Sequence, residues 1–119
     1  MFCIMELVAF LGVGKGTWGQ IAGVMNHGDW ENIIILGDSF AKQFNIKKDF
    51  EFIEVSSKTI IELRDEILKK LKGRINGTEV ALSIASGDGK EHMALISALL
   101  SLPVGIRFVV LTKDGLVFM

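Results

Sequence analysis

Apolar residues in this chain follow two alternating rhythms. Leu7–Leu11 and "NIIILGD", Asn32–Asp38, are short apolar runs that close on glycine, the pattern of parallel strands covered on both faces. "EVALSIAS", Glu79–Ser86, and "IRFVVLT", Ile106–Thr112, read as two further strands. "FEFIEV", Phe50–Val55, alternates apolar with acidic residues, as a half-buried or edge strand does.

Between these runs the spacing is helical. From Thr17 to about Asn26, Trp18, Ile21, Ala22, Val24 and Met25 recur at helical intervals, and "NHGD" at Asn26–Asp29 then turns the chain. Ser39–Phe44 fits one helical turn. The clearest helix spans Thr59 to Ile75, with Ile60, Leu63, Ile67, Leu68, Leu71 and Ile75 on one stripe. Thr59 and Glu62 form a capping-box pattern at its start, and Glu62, Asp65, Glu66, Lys69 and Lys70 make a solvated face able to pair across one turn. A last helix, Lys90–Leu102, is apolar nearly all round; beyond its first turn only Ser97 and Ser101 are polar, and Pro103 stops it. One side of it can lie on a sheet. The other needs a second cover, and in so short a chain a homodimer through Met93–Leu102 is the expected one.

Asp114–Gly115 is a two-residue hairpin signal leading into a final antiparallel strand. Strands alternating with helices predict an α/β fold: a Rossmann-like, mostly parallel sheet with helices on both faces and a C-terminal antiparallel β-hairpin. At 119 residues the chain is expected to be one domain, 1–119.

Composition narrows the function classes. Thirteen basic and fourteen acidic residues leave a net charge of −1, which gives no support to direct DNA binding. Cys3 stands alone, so no disulfide forms within the chain, and a cytoplasmic location is expected. Glu6 interrupts the apolar start well short of a membrane span, and no membrane association is expected. Met5 competes with Met1 as the natural start, and a chain ending at Met119 fits a full-length protein or a truncated one.

Candidate chemistry gathers in two glycine loops. Open α/β sheets bind ligands beyond the carboxyl ends of the strands, where strand order reverses. Gly12–Gly19 follows the first strand and Ser86–Lys90 the fourth, and these strands are expected to be neighbours there. Glycines allow close approach to phosphate, and a following helix presents its positive end. Lys15 and Lys90 add charge; Thr17, Ser86 and Asp88 either bond a sugar or phosphate or cap helices; Trp18 either stacks on a base or packs on its own core. Gly14, Gly16 and Gly19 also match G-x-G-x-x-G, with Asp38 where a ribose-binding acid would sit, whereas "GKGT" breaks the contiguous G-K-[ST] of a Walker loop. His27 and His92 are the only histidines, and no spacing suggests a metal site or any cofactor.

"ALSIASGDGKEHMALISALLSL", Ala81–Leu102, resembles the part of CRISPR-associated Rossmann fold (CARF) domains where a strand meets a Ser/Thr-Gly-rich turn, a basic residue and an apolar helix. "FLGVGKGTWGQ" and the closing hairpin are similar to the family's plan as well. The resemblance implies a dimer that binds cyclic oligoadenylate, a second messenger of type III CRISPR antiviral defence, across its two-fold. Some members also cleave the ring. Ser86, Gly87, Gly89 and Lys90 match the family's second loop, while Gly12, Gly14 and Thr17 match the first only in general character. Asp88 departs from the pattern, an acid among phosphate-binding residues.

Three readings follow. One is a dimeric cyclic oligoadenylate sensor; if it is also a metal-independent ring nuclease, Lys15 or Lys90 would stabilise the phosphorane as a ribose 2′-hydroxyl attacks in line. Another is a small NAD- or adenine-nucleotide-binding module using Gly14, Gly16, Gly19 and Asp38. The third is a ligand-free assembly subunit working through the apolar helix.

Overall fold

The computed structural model describes residues 5–102 and 104–119. Cys3, the Met1 start and the Pro103 stop lie outside them. The chain is an α/β protein with strands β1 (Met5–Leu11), β2 (Trp30–Gly37), β3 (Glu51–Glu54), β4 (Glu79–Ser83), β5 (Gly105–Thr112) and β6 (Gly115–Phe118). Its α-helices are α1 (Trp18–His27), α2 (Ile60–Leu71) and α3 (Gly89–Ser101). The strands form one sheet in the order β3-β2-β1-β4-β5-β6, parallel except for the β5–β6 hairpin.

Strand β1 is buried along its whole length because it serves two cores. Val8 and Phe10 point to the face covered by α2 and α3, where they meet Leu63, Ile67, Leu95 and Leu99. Leu7, Ala9 and Leu11 point the other way, onto Ile21, Val24 and Met25 of α1. This period-2 division explains why a fully apolar run, rather than an alternating one, marks the central strands. Among the described residues no helix is long and apolar enough to cross a membrane.

Helix α2 is shorter than its apolar stripe. Lys72 leaves helical geometry and Gly73 adopts φ +83°, so the chain turns out before Ile75, which still packs against the core. At the other end Thr59 accepts the Glu62 amide as expected. Helix α3 also has the predicted extent to within one residue, but Met93 is 61% and Leu100 69% exposed, so its outer stripe is uncovered in the single chain.

The face of acidic and basic residues expected on α2 is only partly solvated. Glu66 accepts from Ser56 N, from Ser57 N and Oγ, and from Lys70 Nζ, and Lys70 also reaches Glu54 O. Partial burial opposes the Glu66 charge, but the bonds from Lys70, Ser57 and Ser56 outweigh it and hold the carboxyl at about 2, down from 4.5. The carboxylate thereby fixes the β3–α2 loop. Glu6 plays a similar part at the opposite end of the sheet: buried, it accepts the Asn76 and Gly77 amides and the Asn32 side chain.

Candidate functional site

Strand order reverses between β1 and β4, which pair in register from Glu6↔Val80 to Ala9↔Ser83. The two glycine loops leave the sheet side by side here, and they touch. A Cβ on Gly12 would lie 2.7 Å from the Gly87 Cα, closer than any side chain tolerates. Gly87 itself has φ +101°, a conformation that favours glycine. Both glycines are therefore required by the convergence itself.

Hydrogen bonds lock the contact. Gly12 N donates to Ser86 Oγ at 2.9 Å, and Thr17 Oγ1 lies 2.7 Å from Ser86 Oγ and 3.0 Å from Gly14 O. Thr17 has a single proton. If it goes to Gly14 O, Ser86 donates to Thr17, and the bonds run unbroken from Gly12 N through the two hydroxyls to Gly14 O. Trp18 Nε1 donates to Gly12 O at 2.9 Å, and a His92 Nε2–H placed there donates to Ser86 O at 2.7 Å. Ser86 is wholly buried, so it braces the loops and does not face solvent.

These loops enclose an open cleft of about 370 Å³ lined by Gly12, Val13, Gly14, Gly16, Thr17, Gly87, Asp88 and Glu91. One wall carries Gly14 and Gly16, and the amides of these two and of Lys15 between them donate to nothing among the described residues. They stand where a short 3₁₀ turn, Lys15–Thr17, leads into α1, an arrangement suited to an anion. The other wall is acidic. Asp88 accepts the Glu91 amide and Glu91 Oε1 accepts the Asp88 amide, a complete capping box. Burial pushes the Glu91 carboxyl above its ordinary range against the Asp88 N–H bond, and the nearby Asp88 and Asp38 charges add to the rise.

Neither candidate lysine lines the cleft. Lys15 Nζ lies over the rings of Trp18 and Phe40, at 5.8 and 5.4 Å from their centroids. Lys90 Nζ donates to Lys58 O in the loop after β3. It belongs to a separate cavity of about 100 Å³ with Asp38, Ser56, Ser57 and Glu91. Gly89 opens α3 outside the cleft lining. Trp18 is only 8% exposed, so its indole packs and braces.

Of the dinucleotide pattern, Gly14 and Gly16 line the cleft, whereas Gly19 and Asp38 do not. A Cβ on Gly19 would meet nothing within 4 Å, so the third glycine has no close helix–strand contact to relieve. That contact falls at Gly23 instead, where a Cβ would collide with Leu111. Asp38 Oδ1 accepts the Phe40 and Ala41 amides and caps the 3₁₀ turn Ser39–Gln43. Among the described residues no cluster of His, Cys, Asp or Glu could hold a metal ion.

Sequence reasoning missed Val13 and Glu91 as cleft residues. Glu91 was detectable, because Asp88 and Glu91 have the same i, i+3 spacing as Thr59 and Glu62. No family model matches this chain, and no curated protein does.

Proposed function

We propose that this chain is a nucleotide-binding domain of the CARF type, working as a homodimer that senses a cyclic oligoadenylate. The observation that carries this reading is the contact of Gly12 with Gly87 at the strand reversal, beside three amides with no partner among the described residues. An anion approaching there is met by N–H dipoles at the head of α1, and Lys15 sits on the same loop to add charge. The acidic wall suits the hydroxyl side of a ribose better than a phosphate, since Asp88 and Glu91 accept hydrogen bonds when ionised.

Helix α3 connects the cleft to the proposed dimer face. Asp88 and Glu91 line the cleft, and Met93, two residues on, begins the uncovered stripe that ends at Leu100. In a dimer formed through that stripe, one ring-shaped ligand with repeated phosphates would bridge the clefts of both chains. If the ring is cleaved, Lys15 is better placed than Lys90 to stabilise charge at phosphorus, because Lys90 is held by Lys58 O.

Titration calorimetry against cyclic tetra- and hexa-adenylate, with NAD alongside and chromatography of the mixtures, tests the reading. One ring per dimer supports a sensor, and shortened products make it a ring nuclease. Heat with NAD alone supports the dinucleotide module, and no heat with any ligand supports an assembly subunit.

A further inference from the structure

Four aromatic rings run along the α1 side of the sheet. Phe50 lies 5.6 Å from Phe44, Phe44 lies 5.9 Å from Trp18, and Trp18 lies 5.7 Å from Phe40. At its far end Phe44 and Phe50 are partly buried against the core, and at the cleft-loop end Phe40 is 37% exposed against 8% for Trp18. Two anchors hold that open end still. The Phe40 amide donates to Asp38 Oδ1 at 2.9 Å, and the Trp18 indole is tied to Gly12 O. Lys15, whose own amide has no partner among the described residues, lays its ammonium over Phe40 and Trp18.

The geometry points to Phe40 as the base-stacking platform of the nucleotide site, with Lys15 as a movable cover over it; this rests on the nucleotide reading above. An exposed ammonium over a ring is weakly held, whereas a base stacked on an aromatic side chain is held more strongly. A nucleotide can therefore exchange the two. The base takes the face of Phe40, and the ammonium swings to the phosphate held at the Gly14–Gly16 amides. The ligand class this selects is one carrying both a flat base and an adjacent phosphate. Purines, with the larger face, should bind better than pyrimidines.

The test compares cyclic tetra-adenylate with cyclic tetra-uridylate, which differ only in their bases, on wild type, Phe40→Leu, Phe40→Trp and Lys15→Met. Wild type should prefer the adenylate ring by about tenfold or more, and Phe40→Leu should lose about tenfold for that ring while barely changing the other. Phe40→Trp should restore the preference, and Lys15→Met should weaken both rings alike. Wild-type adenylate affinity in Phe40→Leu, or an equal loss for both rings, would overturn the platform while leaving the nucleotide reading intact. Binding of neither ring to wild type would remove the cyclic oligoadenylate reading, and this inference with it.

Discussion

The Gly12 amide nitrogen and the Ser86 hydroxyl oxygen lie 2.9 Å apart across 74 residues of sequence, joining the loop after β1 to the loop after β4. The bond is possible only because Gly12 and Gly87 bring their backbones into contact. Gly12→Ala must part the loops, at about 1–3 kcal/mol of stability as for other overpacked sites. Gly14→Ala and Gly19→Ala meet open space, and in α1 the latter should gain about 0.5–1 kcal/mol of helix propensity. Urea melts of the three variants check the contrast; equal losses at Gly12 and Gly19 would mean that the loops do not meet.

Two serines three residues apart should respond oppositely to alanine. Ser86→Ala strands the buried Gly12 amide and costs about 1–3 kcal/mol. Ser83 is buried too, but its hydroxyl has no partner among the described residues. Removing it should therefore be neutral or stabilising by about 1 kcal/mol. Thermal midpoints of the two variants decide it.

The fold and the location of the cleft were legible because they depend on features one sequence displays: apolar runs closing on glycine, and turns that break them. The charged residues inside the fold were not. Glu6 looked like an interruption of an apolar run, yet it is buried because Asn76 and Gly77, seventy residues on, supply amides to it. Glu66 looked solvated for the same reason: its partners Ser56 and Ser57 come from a loop outside the helix. Nothing in the sequence marks Gly23, because the strand residue it clears, Leu111, is adjacent only after the sheet forms. Lys15 and Lys90 could be assigned to loops but not to directions, since the rings and the carbonyl that capture them lie in other elements.

Glu6→Ala should be among the most damaging single changes, at about 3 kcal/mol or more, because it leaves the Asn76 and Gly77 amides without their acceptor. Glu6→Gln keeps one acceptor oxygen and should cost less. Denaturant midpoints in that order are expected; indistinguishable variants would mean that the α2–β4 loop is held by other groups.

Acid should release the β3–α2 loop through Glu66. Its folded carboxyl titrates at about 2 against 4.5 when free, so the native state binds the proton less readily than the unfolded chain. The stabilisation is complete above the free value and is lost as pH falls from 4.5 towards 2. Allowing for solvent screening at this half-buried site, it amounts to about 1–2 kcal/mol. Glu66→Gln should be less stable than wild type at pH 7, with the gap closing near pH 2. Parallel pH profiles for the two proteins would rule Glu66 out as the source.

Met93 and Leu100 lie seven residues, two helical turns, apart on the uncovered stripe of α3, while Ala94, Leu95, Ala98 and Leu99 face the core. Charge placed on the stripe should therefore spare the fold and, in the homodimer proposed above, break association. Met93→Glu/Leu100→Glu is expected to sediment as a monomer with a thermal midpoint close to that of wild type measured at dilution, where association no longer contributes. Ligand binding should fall with it if the ring bridges two clefts, because each monomer keeps only half of the contacts. A double variant that remains dimeric would move the interface to another face; a monomer that still binds a ring at full affinity would make the cleft of one chain sufficient.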